Sequence, residues 1–300
     1  MIVSYAAIYL IWGSTYFAIA MAVQSMPVSW LMAVRYILGG LVLTLVPLLA
    51  GQIKVSITWK HIASALFMGF FLLIIGNGLV SVAEKTLDSS LAAIMIACTP
   101  FLVAFMNTVF HRKPLSLFSL FGAILGVVGI LILFVKPGTT ELNLSPDMII
   151  MLLAILGWSL GTSWGHKVTQ YPQPLFSVGL QMLFAGVACT LYALIADAPP
   201  QEIFSLVQPE GWWSALYLTV FGSLGIVAYN YLLTKEPSFR ITTHTLVNPL
   251  IAVLLGVFLG GEALTSNLLW ALPIILLGLT LMLFGPRIFK KLPQKTLEKL

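Results

Sequence analysis

Charge is what this sequence has least of. Its 300 residues include 15 Lys and Arg and 10 Asp and Glu, or 8% charged, where a globular chain carries roughly a quarter. So few ionisable groups cannot cover a water-soluble body of this length. With 59% of the residues hydrophobic, the solvent around the folded chain has to be lipid. The same apolar richness excludes intrinsic disorder, and the lack of a short Gly-Pro period excludes a fibrous repeat. Cysteine is scarce too. Cys98 and Cys189 sit in apolar runs with no Cys or His at metal-ligand spacing, so no disulfide framework, metal site or other cofactor is expected. There is no basic stripe either. Of the cations behind the net charge of +5, Arg287, Lys290, Lys291, Lys295 and Lys299 fall in the last 14 residues. That tail reads as a membrane-facing anchor, and nucleic acid is not expected as a partner. Enzyme signatures are missing: no His-Glu-x-x-His zinc helix, no aspartate pair within an apolar run, and no Gly-x-Ser-x-Gly elbow at a strand-to-helix turn. No enzyme is expected.

What the chain does have is long apolar runs. A helix needs about 20 mostly apolar residues to cross the hydrocarbon core. Cutting at charges and turn formers gives ten such segments: 3–23, 28–50, 60–82, 88–110, 115–135, 147–167, 174–196, 211–234, 241–261 and 267–286. A β-barrel would alternate over segments of about ten residues, whereas Pro114 to Val135 holds no charge and does not alternate. The expected fold is an all-α integral membrane protein. Ala18-Ile19-Ala20 has the look of a signal-peptidase site, but Met1 to Ser4 carries no positive charge, so the first run is expected to be structure. Lys and Arg in the links set orientation. One side holds Lys54, Lys60, Arg112, Lys113, Lys167, Lys235, Arg240 and the five tail cations, 12 in all, against Lys85 and Lys136 on the other. Both termini are expected in the cytoplasm.

The runs repeat. A shift of 149 residues lays Pro100 on Pro249, Leu115-Ser116 on Leu264-Thr265 and Gly129 on Gly278, and a shift of 146 lays Trp12 on Trp158 and Gly40 on Gly186. Two sets of five crossings follow, 1–138 and 139–300, and an odd number per set makes the second enter the membrane from the opposite side. Such inverted-topology repeats build alternating-access carriers, with the substrate near the midplane between the halves.

The opening Ile11-Trp12-Gly13-Ser14-Thr15-Tyr16-Phe17-Ala18 is one marked stretch. Others are the Pro27 to Arg35-Tyr36 spacing and Asn248-Pro249-Leu250 running through Gly260-Gly261-Glu262-Ala263-Leu264-Thr265 into Gly278. Together they resemble the EamA-type branch of the drug/metabolite transporter superfamily. The resemblance covers the whole chain. It implies a ten-helix inverted repeat in a bacterial inner membrane, usually exporting amino acids or related small metabolites. In the first repeat His111-Arg112-Lys113-Pro114 replaces Gly260-Gly261-Glu262-Ala263 of the second, a charge difference that suits a cytoplasmic face.

Candidate substrate-binding residues follow from polarity inside the runs. Arg35 is an ionised group within the second run, where burial costs about 2.5–3.5 kcal/mol on insertion scales. It either faces a cavity to pair with a substrate carboxylate, or snorkels to the headgroups or satisfies backbone carbonyls at a helix end. Trp12, Ser14, Thr15 and Tyr16 on the first run and Trp158, Ser159, Thr162 and Ser163 on the sixth form a second group, offering aromatic faces and hydroxyls or simply close packing. The stripe Gly157, Gly161 and Gly165 favours packing there. Asn77, Tyr229, Asn230, His244 and Asn248 each need a partner where there is no water. Pro100 and Pro249, at matching positions, are expected to kink their helices. Gly122, Gly126, Gly129 and Gly278 mark the fifth and tenth runs as buttressing or dimerising helices.

Energy coupling has the weakest signal. All ten acidic residues fall near run ends or in the tail, so no deep acidic relay is expected, and His244, about one turn into the ninth run, is the internal group whose unperturbed pKa lies near neutrality. Facilitated export down a metabolite gradient is the expectation, with proton-coupled export of a drug or other metabolite, or a non-transport membrane role, as alternatives. The expected partners are a small-molecule substrate, lipid and, in the alternative, a proton, with the chain a monomer or homodimer.

Overall fold

The computed structural model describes residues 1–112, 116–135 and 144–290, without the side chains of 111, 238, 239 and 286–290. The sequence readings on Lys113, Pro114, Leu115, Lys136, Glu141, Lys291, Lys295 and Lys299, and on the side chains of Arg287 and Lys290, lie outside the described residues.

Among the described residues there is no β-strand, as lipid requires of a chain that closes its backbone hydrogen bonds within each segment. Among the described residues, eight helices are apolar and long enough to cross a membrane. They are α1 (Ile2–Val23), α2 (Val28–Leu49), α3 (Trp59–Ala83), α4 (Ser89–Phe110), α6 (Pro146–Gly165), α7 (Pro174–Ala196), α8 (Pro209–Lys235) and α10 (Ser266–Lys290, apolar to Gly285). Two shorter apolar helices complete the series, α5 (Leu117–Leu133) and α9 (Thr242–Phe258). The 17 residues of α5 rise about 25 Å, a little under a hydrocarbon core of about 30 Å. Leu38, Val42, Phe121, Ile195, Phe258 and Trp270 are exposed on the outside of the bundle, where lipid is their natural solvent. The molecule is a multi-pass membrane protein.

Four helices are irregular, and their irregularities come in pairs. The middle of α3 is a π-helix, Gly69–Gly78, and α8 has one at Leu218–Gly222. The first part of α4 ends at Ile96 and a second begins at Thr99, with Pro100 in its first turn. In α9 a 3₁₀ segment, Thr242–Leu246, gives way to an α-helix that opens Asn248-Pro249. Proline has no N–H and disfavours helical backbone before it, so both prolines start a new segment where the sequence predicted a kink. α9 also ends at Phe258, three residues before the predicted 261. Gly261 adopts φ +69°, a left-handed conformation open to glycine, and turns the chain away from the helix axis.

Packing is intimate because glycine lines the crossings. The stripe on α6 receives α3: a Cβ on Gly157 would stand 2.2 Å from Ile75 Cγ2, and one on Gly161 2.5 Å from Leu72 Cδ2. The packing reading of this stripe holds. α2 lies along α7, and α5 lies along α10. The α5–α10 contact is backbone to backbone, with a Cβ on Gly122 coming 2.4 Å from the Gly278 carbonyl oxygen.

Backbone cannot yield as a side chain can. Gly122→Ala should therefore destabilise the protein by about 1–3 kcal/mol, while Gly78→Ala, whose Cβ meets only the Leu73 carbonyl at 3.4 Å, should stay near the parent. Thermal unfolding in detergent compares them, and equal melting points would mean that the seam has slack.

Candidate functional site

A small chamber lies in the middle of the bundle. α1 gives it Trp12, Thr15, Tyr16 and Ile19, positions three, four and seven apart that share one helix face. Gly76, Asn77 and Val80 come from α3, Ile96 and Thr99 from the break in α4, Trp158 from α6, and His244 from the 3₁₀ segment of α9. Both broken helices thus meet the chamber at their breaks. Its volume is about 40 Å³, room for one or two water molecules and too little for a metabolite.

Aromatic rings fill most of the space. Trp12 is the hub: its centroid lies 5.3 Å from Trp158, 5.0 Å from Tyr229 and 5.1 Å from His244. The Trp158 and His244 contacts are edge-to-face at 84°, the arrangement that ring quadrupoles favour. Tyr229 is held from behind by a hydroxyl-to-hydroxyl bond with Thr162. His244 Nδ1 stands 2.9 Å from the Asn248 side chain. With the Asn248 amide turned so that its oxygen accepts from Nδ1–H, its nitrogen donates to the Tyr9 and His244 carbonyls at 3.0 Å. That leaves His244 Nε2 as a lone-pair acceptor, buried and without a hydrogen-bond partner.

Arg35 is 1% exposed, which overturns the snorkelling reading. Its Nη1 donates to Asn77 Oδ1 at 2.9 Å, the Tyr36 hydroxyl donates to the same oxygen at 3.3 Å, and the guanidinium carbon lies 5.3 Å from the Tyr36 ring centroid. Nε has no partner. Gly222, in the π-helix of α8, makes room: a Cβ there would be 2.8 Å from Nη2. Among the described residues no carboxylate comes within ion-pair distance of Arg35. The cation stands behind Asn77, one side chain removed from the chamber.

Other predicted residues lie elsewhere. Ser14 points away from the chamber face, pairing with the Tyr217 hydroxyl at 2.6 Å. Asn230 accepts from Gln181 Nε2 at 3.1 Å and lines a different cavity of about 520 Å³ with Gly165, Tyr171, Ser177 and Lys235. Ser159 is fully buried, and Ser163 donates to Asn107 at 2.9 Å. These two serines do satisfy Gly-x-Ser-x-Gly, at 157–161 and 161–165. Both matches run mid-helix within α6 rather than at a strand-to-helix turn, so neither is a nucleophile elbow. Ile19, Ile96 and Thr99 were not singled out from the sequence. For Thr99 the adjoining Pro100 was the available signal, while the two isoleucines carried none.

The model of the EamA-like transporter family matches residues 1–135 and 146–284 of the chain. The chain is 32% identical over 292 residues to the uncharacterized inner membrane transporter YedA of Escherichia coli K12, covering 96% of this chain and 92% of that protein. The uncharacterized transporter YoaV of Bacillus subtilis 168 is 19% identical, with 90% and 92% covered. Protein PagO of Salmonella typhimurium LT2 is 23% identical, with 89% and 88% covered. A protein crystal structure 17% identical in sequence has the same fold, with a TM-score of 0.68 over 95% of this chain and 98% of that one.

Asn77 is the acceptor that Arg35 uses, so Asn77→Leu should strand a buried cation and destabilise the protein by roughly 1–3 kcal/mol. Asn77→Asp, which keeps an acceptor and adds a counter-charge, should lie closer to the parent. Thermal unfolding in detergent ranks the variants; equal losses would mean that Arg35 does not depend on Asn77.

Proposed function

We propose, because this chain belongs to the EamA-like transporter family, that it exports small metabolites, amino acids foremost, across a bacterial inner membrane by alternating access. Its membership makes it a membrane transporter rather than an enzyme. In this reading two inverted halves, 1–138 and 139–300, rock about the central chamber, with both termini in the cytoplasm.

The observation that carries the reading is the chamber itself, small, midway along the bundle, and bordered by the breaks of α4 and α9. Interrupted helices at corresponding places in two halves point to a transporter's site. The pairing supports inversion: the π-helices begin 149 residues apart, at Gly69 and Leu218, the separation of Pro100 and Pro249. Predicted repeat mates also pack on each other, α2 on α7, α4 on α9, and α5 on α10. A chamber of about 40 Å³ cannot admit an amino acid, so this conformation is closed over the site and the halves must part to load it.

The chamber's chemistry suits a zwitterion. Arg35 is a fork of donors whose current acceptor is a neutral amide, and a substrate carboxylate is the stronger partner. His244 Nε2 offers a free acceptor to an ammonium N–H, and the faces of Trp12 and Trp158 attract a cation. The cavity of about 520 Å³ beside Gly165, Tyr171 and Lys235 then serves as the cytoplasmic vestibule.

Counterflow in proteoliposomes tests this, loading one unlabelled amino acid, nucleoside or sugar phosphate at a time. Label should accumulate against an internal amino acid. Arg35→Ala should lower that exchange by one to two orders of magnitude, the counterpart of a lost charge-assisted hydrogen bond of roughly 1.5–3 kcal/mol, in protein that remains monodisperse. Exchange at the parent rate would remove Arg35 from the site, and no exchange of any small metabolite by folded protein would remove the reading.

A further inference from the structure

A further cavity, of about 260 Å³, lies at the other end of the bundle from the vestibule. It is lined by Phe17, Ala20, Met21 and Gln24 near the end of α1, by Glu84 to Ser89 between α3 and α4, and by Gly260 and Glu262 after α9. Three carboxylates share it. Glu262 is fully engaged: it accepts from the backbone N–H groups of Ser89 and Ser90 at 2.8 and 3.0 Å and from both serine hydroxyls, and so caps the positive N-terminal end of α4. Asp88 is partly covered at the cavity mouth. Glu84 is different. It follows the last residue of α3, is 1% exposed, and neither carboxylate oxygen has a hydrogen-bond partner. A charged carboxylate is not stable in that setting, whereas the neutral acid is.

We propose that Glu84 is the proton-binding latch of this end of the transporter, taking up a proton when the end closes and giving it to water when the end opens. The proposal rests on the transport reading and adds the ion to it. In the closed arrangement burial, reinforced by the Glu262 charge, raises the Glu84 carboxyl well above its ordinary range. Opening hydrates Glu84, its O–H bond breaks, and the proton passes to the water that has entered. The remaining charged and titratable groups around it are Tyr16 on α1, within electrostatic range of Glu84, Lys85 and Asp88 in the same link, and Asp147 of α6, which accepts from Thr86 at 2.6 Å. Burial, reinforced by Glu262, raises Asp88 as well. The closed state binds the extra proton, so acid favours closure. Between the ordinary carboxylate value of about 4.3 and the raised one, each pH unit upward should shift the balance about tenfold toward opening. By the lysine and arginine count this end faces away from the cytoplasm, where it meets the external pH.

The test reads accessibility and needs no substrate. In a Cys98→Ser, Cys189→Ser background, Ile19→Cys puts a thiol on the chamber wall, and its labelling by a membrane-impermeant maleimide is measured from the outside across pH, with the intrinsic pH dependence of thiol reactivity divided out on a free thiol. The parent should label faster as pH rises. Glu84→Gln, which has the shape of the protonated acid and cannot release a proton, should label at the slow acid-limit rate throughout, while Glu84→Asp should keep a pH response. A flat profile in the parent, or an unchanged profile in Glu84→Gln, overturns the latch. So does a profile that sodium at fixed pH reproduces, because the cavity would then hold a metal cation. A flat profile in protein that still performs counterflow refutes the latch alone; pH-dependent labelling without any counterflow refutes the transport reading alone.

Discussion

Everything in this molecule answers to one constraint: within lipid, a backbone polar group that leaves its helix must find a partner inside the protein. Regular helices meet it residue by residue, which is why the bundle's outer wall is featureless and apolar. The chain departs from regularity in α3, α4, α8 and α9. Three of these, α3, α4 and α9, border the central chamber directly, and α8 reaches it through Tyr229 and makes room for Arg35 at Gly222. Irregular backbone and the polar and aromatic side chains of the central chamber occupy the same place, where groups released from regular helix lie beside polar partners.

The polar groups at the centre are arranged as a relay of dependence. Arg35 is held by Asn77, Asn77 faces the chamber, and Trp12 ties together Trp158, Tyr229 and His244. Each of these residues comes from a different helix. A relative movement of the helices therefore changes the chemistry of the centre at once, without a separate gate having to report it.

Eight of the ten predicted runs match helices long enough to span, to within a few residues, because lack of charge over about 20 residues is a one-dimensional signal. The breaks were legible too, since Pro100 and Pro249 act through their own missing N–H. The chamber was partly legible. Of the candidate residues, Trp12, Thr15, Tyr16, Asn77, Trp158 and His244 line it, but Ser14 and Thr15, neighbours in sequence, fall on different faces of α1, and only helix phase separates them. Asn230 and Arg35 needed tertiary contacts to be placed. Glu84 was counted only among the acids at run ends, yet it is buried beside a cavity that it shares with the end of α1 and the residues after α9. Burial of a helix end is a property of the assembly.

The α5–α10 seam has a consequence of a different kind. These two helices meet through Gly122 and Gly278, and none of their described residues lines the central chamber, so the surface they offer to lipid is separate from the chamber wall. Substitutions on Phe121, Val127, Leu269 or Trp270, all exposed, can tune the protein to a thicker, thinner or more anionic bilayer while the aromatic centre stays untouched. The lipid-facing surface of this pair and the wall of the chamber thus belong to separate parts of the chain, free to vary at different rates.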